Sequence, residues 1–198
     1  MQAEGLILAG GGSTRMGGLH KGSLLYRKKT FIQILEDELK KEATHVSISY
    51  GAKRREYAGE CSVIMDYYPG CGPIGGIHAG LRECRGEFLL TAACDMPLLK
   101  IELYRYLYDT LLGKEKIGIS YDGAVPIVDG RIHPLSAIYR RRAGSRMEEQ
   151  ILAGNYRLTD ALKCMNILYA DVTEQKVYVQ MLRNINTLKE YERLIKYE

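Results

Sequence analysis

The stretch LAGGGSTRMGGLHK, at residues 8–21, places a glycine-rich turn directly after a short apolar strand. Its three consecutive glycines, Gly10, Gly11 and Gly12, let backbone N–H groups approach an anion without interference from a Cβ atom. Arg15 and Lys21 add the positive charge that neutralises a polyphosphate. The stretch therefore predicts a phosphate-binding turn and, through it, a nucleotide ligand.

This turn differs from the two commonest phosphate loops. A Walker loop has a Lys followed by Ser or Thr directly after its closing glycine, whereas Gly17 is followed by Gly18, Leu19 and His20. A dinucleotide fingerprint needs a glycine where this sequence has Arg15. Plain connections from a strand to a helix also contain glycine turns, so the turn alone leaves a structural and a functional interpretation open.

Length and composition indicate a single domain over residues 1–198. The chain is 46% hydrophobic and 26% charged, with a net charge of +4 that is spread along its length, so nucleic-acid binding has little support. No signal peptide or apolar run predicts a membrane segment. Five cysteines without CxxC spacing favour reduced thiols in a cytoplasm. A monomer is the default expectation.

Strands and helices alternate along the first half of the chain, which predicts an α/β fold with a Rossmann-like, mostly parallel, twisted sheet flanked by helices. The expected strands are 5–9, 46–49, 62–65, 87–92 and 167–170. The expected helices are 31–42, 101–112, 147–153 and 160–164, with a last helix starting at Thr187. Residues 67–86 are expected to be rich in turns.

Two kinds of local signal support this assignment. Thr30 with Gln33, and Thr187 with Glu190, form plausible capping boxes at helix starts. The dipeptide Asp129-Gly130 between the apolar stretches 124–128 and 132–139 is a strong hairpin signal, and it predicts an antiparallel elaboration of the sheet.

The candidate binding and catalytic residues follow three separate strands. The glycine turn follows the first, Asp66 follows the strand at 62–65, and Asp95 follows the strand at 87–92. In parallel sheets, ligands bind outside the carboxyl ends of the strands, so these residues should meet there. Cys94 beside Asp95 could be a nucleophile, but a small buried cysteine is the commoner case.

Four motifs in order along the chain resemble the molybdenum cofactor guanylyltransferases. They are LAGGGSTRMGGLHK, DYYPGCGPIGGIHAGL at 66–81, ACDMPLL at 93–99 and NINTLKEYERL at 184–194, with GRIHPLSAIY at 130–139 as a weaker fifth. The resemblance implies a fold like that of the nucleotide-diphospho-sugar transferases. It also implies transfer of GMP from GTP to the phosphate of molybdopterin with Mg²⁺ as cofactor and pyrophosphate as the second product.

The resemblance also implies roles for individual residues. Leu8, Ala9 and Gly10 would offer backbone contacts to the nucleotide, and Gly11 and Gly12 would continue the turn. Lys21, supported by Arg15, would bind the triphosphate, while Asp66 would contact the nucleotide. Asp95 would hold Mg²⁺, and Asn186 matches an asparagine near the pterin. The product would pass to a molybdoenzyme or a cofactor-insertion protein.

One position departs from the family pattern. An asparagine that touches the nucleotide at the end of the second strand is replaced here in the region of Ser49 and Tyr50, which leaves CTP open beside GTP. Two further alternatives are a sugar-1-phosphate nucleotidyltransferase and a non-catalytic module that binds nucleotide or delivers cofactor. Lys21 together with Asp95 speaks against the module.

Overall fold

The computed structural model describes residues 1–10, 21–52, 56–57, 59–115 and 118–196. Ten strands are described: β1 (Ala3–Leu8), β2 (Leu25–Tyr26), β3 (Lys29–Thr30), β4 (Ala43–Ser49), β5 (Ser62–Ile64), β6 (Phe88–Ala93), β7 (Gly123–Val128), β8 (Arg131–Ile132), β9 (Ile138–Arg140) and β10 (Ile167–Asp171). The described helices are α1 (Phe31–Leu39), α2 (Pro73–Glu83), α3 (Ile101–Glu115), α4 (Ala143–Leu152), α5 (Leu158–Lys163), α6 (Lys176–Met181) and α7 (Leu188–Lys196).

One eight-stranded sheet organises these elements in the order β10-β7-β9-β6-β1-β4-β5, with β8 paired to β7. Strands β1, β4, β5 and β6 are mutually parallel, and β10 is parallel to β7. Strand β9 runs antiparallel to both of its neighbours, β6 and β7. The expected mostly parallel α/β sheet with an antiparallel elaboration is therefore confirmed.

Helices cover both faces of this sheet because side chains alternate along each strand. In β1, Ala3 and Ile7 are buried in one core cluster with residues of α1 and α3. Leu6 and Leu8 point the other way, into a second cluster with residues of α2, α4 and α5. Strand β1 is thus buried on both faces, and its carboxyl end lies in the middle of the sheet edge.

The expectation of a turn-rich segment at 67–86 is wrong, because α2 occupies residues 73–83. Its glycines lower helix propensity, which hid the helix from sequence reasoning. They are required by packing: a Cβ at Gly80 would lie 2.7 Å from Leu6 Cδ2, and one at Gly76 would lie 2.8 Å from Leu8 Cδ2. These two glycines lower the helix propensity of α2, but they allow the helix to pack closely against the sheet.

The hairpin is confirmed at its turn but not along its length. Asp129 and Gly130 have φ of 47° and 73°, as a two-residue turn of this hand requires. The expected continuous strand at 132–139 is wrong, because β8 ends at Ile132 and β9 begins at Ile138. Pro134 lacks an N–H for the ladder, and a turn closed by Ser136 N donating to His133 O separates the two strands.

Both capping boxes are confirmed. Gln33 N donates to Thr30 Oγ1 at 3.2 Å while Thr30 N donates to Gln33 Oε1 at 2.9 Å. Helix α1 nevertheless ends at Leu39 rather than at Glu42, and α4 begins at Ala143, before the expected start. The other strand and helix ends differ from expectation by a few residues, whereas α6 and the β2–β3 hairpin were not expected.

Candidate functional site

The predicted site segments converge at the carboxyl edge of the sheet. Leu8, the last residue of β1, is in register with Ser49 of β4 on one side and with Ala93 of β6 on the other. Ala9 N donates to Ser49 O at 2.8 Å, and Cys94 N donates to Leu8 O at 3.0 Å. The three strand ends therefore form one continuous edge.

Lys21 and Asp95 meet at this edge. Lys21 Nζ lies 3.1 Å from Asp95 Oδ2 and donates a hydrogen bond of 2.6 Å to Asn186 Oδ1. The side chains of Lys21 and Asp95 are 22% and 18% exposed, so the pair is partly shielded yet reachable. Sequence reasoning expected Lys21 and Asp95 on one site, and the structure brings them together.

The segment before α7 supplies Asn186 to this cluster. Ile185 N donates to Asp95 O at 2.7 Å, and Glu190 Oε2 accepts hydrogen bonds from Asn186 N and Thr187 N at 2.8 and 2.9 Å. These bonds, with the one from Asn186 N the strongest, lower the pKa of Glu190. The sequence predicts the capping box, but it does not predict that the box places Asn186 Oδ1 within hydrogen-bond distance of Lys21 Nζ.

Ser49 and Asp66 form a second polar pair at the same edge. Ser49 Oγ donates to Asp66 Oδ1 at 2.7 Å and accepts from Gly51 N at 3.1 Å. Asp66 is only 6% exposed. Burial raises its pKa, and the Ser49 hydrogen bond lowers it in part. Ser49, in the region where an asparagine is expected, is thus the hydrogen-bond partner of another predicted site residue.

The two polar groups lie on opposite sides of β1, because β4 and β6 are its two neighbours. Strands two places apart are separated by roughly 10 Å, since adjacent strands are about 4.8 Å apart. Between them, Gly10 packs against the Tyr50–Gly51 peptide, where a Cβ would lie 3.2 Å from Gly51 N. The expected contacts of Gly11, Gly12 and Arg15 fall on residues outside those described.

Two other reactive side chains do not support catalysis. Cys94 is buried, and burial raises its pKa to about 12, so its thiol stays protonated at neutral pH. His78 is fully buried against Tyr67 and Tyr68, and neither ring nitrogen has a hydrogen-bond partner among the described residues. Burial lowers the pKa of His78, as expected for a packing residue.

The donor set of the edge suits hard cations and anions. Asp95 and Asn186 both direct an oxygen at one ammonium, and such oxygen donors are what magnesium prefers. Over the ranges that the structure covers, no group of three or more His, Cys, Asp or Glu could hold a metal. A magnesium ion here would need water and substrate oxygens to complete its coordination.

Family membership agrees with this architecture. The family model described as the MobA-like NTP transferase domain matches residues 5–168, from β1 into β10. The chain belongs to the MobA-like NTP transferase family. Membership makes it a nucleotidyltransferase of molybdenum cofactor biosynthesis, in line with the expected resemblance.

Individual members of the family, and related structures, match over nearly the full length. A protein of Clostridium perfringens (strain 13) named probable molybdenum cofactor guanylyltransferase is 32% identical over 197 residues, which are 96% of this chain and 94% of that protein. A protein of Carboxydothermus hydrogenoformans with the same name is 32% identical over 194 residues, 96% of this chain and 93% of the relative.

Solved structures confirm the fold. Molybdopterin-guanine dinucleotide biosynthesis protein A from Archaeoglobus fulgidus superposes with a TM-score of 0.78 and 26% identity, over 98% of this chain and 97% of that one. The 2-C-methyl-D-erythritol 4-phosphate cytidylyltransferase from Thermus thermophilus has a TM-score of 0.66 at 13% identity, over 100% and 98%, and shows the fold alone. Across the described parts of this chain, no helix is long and apolar enough to cross a membrane.

Proposed function

We propose that the protein transfers GMP from GTP to the terminal phosphate of molybdopterin. The products are pyrophosphate and molybdopterin guanine dinucleotide. The observation that carries this proposal is the placement of Lys21 Nζ 3.1 Å from Asp95 Oδ2 at the carboxyl edge of the sheet. Family membership and the names of the full-length relatives supply the substrates.

The chemistry of this transfer matches the residue types present. An oxygen of the acceptor phosphate attacks the α-phosphorus of GTP, and the bond from that phosphorus to the bridging oxygen of the β-phosphate breaks. Pyrophosphate leaves with the bonding electrons. A phosphate monoester has a second pKa of about 6 and is already largely dianionic at pH 7, so no side-chain base has to activate it.

What the reaction requires is neutralisation of negative charge. Two anions must approach each other, and further charge develops on the leaving pyrophosphate. The ammonium of Lys21 would bind the triphosphate, with Arg15 in support, and the backbone N–H groups of residues 10–12 would add dipoles aimed at the phosphates. These groups orient the phosphates without taking part in proton transfer.

Magnesium fits the oxygen donors of this edge. Asp95 would be its protein ligand, because Mg²⁺ prefers carboxylate oxygens and the Asp95 side chain is partly exposed at the carboxyl edge of the sheet. When bound, Mg²⁺ supplies charge neutralisation across the phosphates. Asp95 would be held for this task by the hydrogen bond from Ile185 N to its own carbonyl.

The base would lie on the other side of β1, at the Ser49–Asp66 pair. Guanine presents two adjacent kinds of donor, its N1–H and its exocyclic amine. The Asp66 carboxylate and the carbonyls of Ala9 and Gly10 are acceptors that suit these donors, whereas Leu8 O accepts from Cys94 N on the β6 side of β1. Ser49 holds Asp66 Oδ1 at 2.7 Å and would thereby compensate for the missing asparagine.

A nucleotide-selectivity assay tests the proposal. The protein is incubated with molybdopterin and Mg²⁺ and, separately, with GTP, CTP, ATP or UTP, and the dinucleotide product is separated and identified by mass. Product with GTP alone, or chiefly with GTP, is expected. Preference for CTP would overturn the base assignment, reaction with a sugar 1-phosphate instead of molybdopterin would overturn the acceptor, and nucleotide binding without pyrophosphate release would indicate a non-catalytic module.

A further inference from the structure

Lys21 has two oxygen partners at the site, and the shorter contact is to the neutral one. Its ammonium donates at 2.6 Å to Asn186 Oδ1 and lies 3.1 Å from Asp95 Oδ2. We propose that Asn186 is a positioning residue that fixes the Lys21 ammonium for the triphosphate, rather than a contact to the acceptor. This inference rests on the proposed function of the site as a nucleotidyl-transfer centre.

A neutral partner is suited to this task. A lysine ammonium has three N–H donors, and a carboxylate such as Asp95 cancels much of its charge. The amide oxygen of Asn186 takes one N–H donor and, unlike the Asp95 carboxylate, cancels none of the positive charge of the ammonium. It also restricts the lysine side chain, and ordering that side chain has an entropic cost. Part of that cost is met before the nucleotide arrives.

Asn186 is itself held by the chain on both sides. Its own N–H donates to Glu190 Oε2 at 2.8 Å, and the preceding residue, Ile185, donates to Asp95 O. Ile185 is buried in a small cluster with Leu24 and Phe31. The amide oxygen therefore has a fixed position relative to both Asp95 and the segment that begins at Lys21.

Helix α7 makes few packing contacts with the rest of the described structure. None of its residues is fully buried, and Leu188 and Ile195 are exposed. It is attached by partial packing of Tyr191 and Leu194 against that small cluster and by Tyr191 OH, which donates to Leu25 O at 2.8 Å. The terminal segment thus contributes to the site through the Asn186 side-chain oxygen and the Ile185 N–H that precedes it.

A double-mutant cycle tests the coupling. The dissociation constant of GTP is measured by titration calorimetry for the unmodified protein, Asn186→Ala, Lys21→Met and the double variant, with Asn155→Ala as a matched control. Asn155 makes its own side-chain hydrogen bond to Gln150 but follows α4, outside the cluster of Lys21, Asp95 and Asn186. Thermal melting of every variant reports on folding, and Asn186→Leu repeats the test with a side chain of similar size.

We expect Asn186→Ala to weaken GTP binding about tenfold, the size of one hydrogen bond to a charged group. In the Lys21→Met background the same change should have less than about a twofold effect. In turnover assays the KM for GTP should rise while the KM for molybdopterin stays unchanged. Loss of folding alone would weaken binding in both backgrounds and would not produce this split.

Two results would overturn the inference. One is an equal effect of Asn186→Ala in both Lys21 backgrounds. The other is unchanged GTP affinity together with a raised KM for molybdopterin, which would place Asn186 at the acceptor. If another nucleoside triphosphate binds best, the cycle is run with that nucleotide, because Lys21 would read phosphates and not the base. Failure of the GTP assignment is therefore separable from failure of the coupling.

Discussion

Ser49 Oγ donates a hydrogen bond of 2.7 Å to Asp66 Oδ1, in the region where the resemblance to guanylyltransferases leads one to expect an asparagine. The pair is buried, with Asp66 at 6% exposure and Ser49 at 2%. A short side chain at the end of β4 thus orients a carboxylate that follows β5. Asp66 is therefore a fixed hydrogen-bond acceptor beyond the end of β5, two strands from β1.

Asp66→Asn should stabilise the free protein and weaken its binding of GTP. Burial raises the pKa of Asp66, so the folded state is disfavoured by ionisation at neutral pH. The gain in melting temperature should be present at pH 8. It should shrink as the pH falls through the raised pKa towards the ordinary value of 3.8, where Asp66 is protonated in both states.

Calorimetric melts across this pH range check the prediction, with Asp37→Asn as control. Asp37 is 54% exposed and forms a surface ion pair with Lys29, so its removal should change stability by about 0–1 kcal/mol. A destabilised Asp66→Asn protein at pH 8 would contradict the assigned role of burial.

Asp95→Ala should lower the turnover number by about 10²-fold or more, in line with the loss of a metal-held charge stabiliser. Asp109→Ala, an exposed carboxylate on α3, is the matched control and should retain full turnover. Steady-state pyrophosphate release provides the measurement. An Asp95→Ala protein with intact turnover would show that the metal is held elsewhere.

Gly80→Val should destabilise the protein by about 1–3 kcal/mol, because the new side chain would overpack the contact of α2 with Leu6 and Leu89. Gly113 in α3, by contrast, has space for a side chain, since a Cβ there would meet no heavy atom within 4 Å. Gly113→Ala should therefore stabilise by about 0.5–1 kcal/mol through helix propensity. Urea unfolding measures both. Equal effects of the two substitutions would mean that α2 does not approach the sheet this closely.

Glu190→Gln should weaken the start of α7 by about 0.3–1 kcal/mol at pH 7, because the negative charge near the helix N-terminus is lost while Gln can still complete the box, as Gln33 does in α1. Because hydrogen bonds from Asn186 and Thr187 lower the pKa of Glu190, its contribution is present above its ordinary pKa of 4.5 and is lost as the pH falls through the lowered pKa. The stability difference between Glu190→Gln and the unmodified protein should close at acidic pH.

Glu192→Gln, exposed on the same helix, is the control and should match the unmodified protein at every pH. Urea unfolding curves at pH 7 and below pH 4.5 provide the comparison. A Glu190→Gln difference that persists undiminished in acid would argue against a charge-dependent cap.

The sequence predicts the site better than it predicts the segments that build it. Asp66 and Asp95 could be assigned to one edge because parallel strands share a direction and each residue lies just beyond the carboxyl end of a strand. Helix α2 could not be found in this way, since three of its eleven residues are glycines, and two of them, Gly76 and Gly80, allow close contact with the sheet. Helix propensity reflects how glycine destabilises an isolated helix, and it does not include the packing against the sheet that glycine permits.

Long-range contacts explain the remaining differences. The Thr187–Glu190 capping box is a local signal and was correctly expected, but the bond from Lys21 to Asn186 joins residues 165 positions apart. No periodicity or spacing encodes such a pair. The division of 132–139 into β8 and β9 likewise depends on β9 finding its place between β6 and β7.

Nucleotidyl transfer itself is tested most directly by following isotopic label from GTP in a reaction with molybdopterin. Label at the α-phosphate should appear in the pterin dinucleotide, and label at the γ-phosphate should appear in free pyrophosphate. Label from the γ-phosphate on the pterin, or α-label recovered only as free GMP, would contradict the proposed reaction.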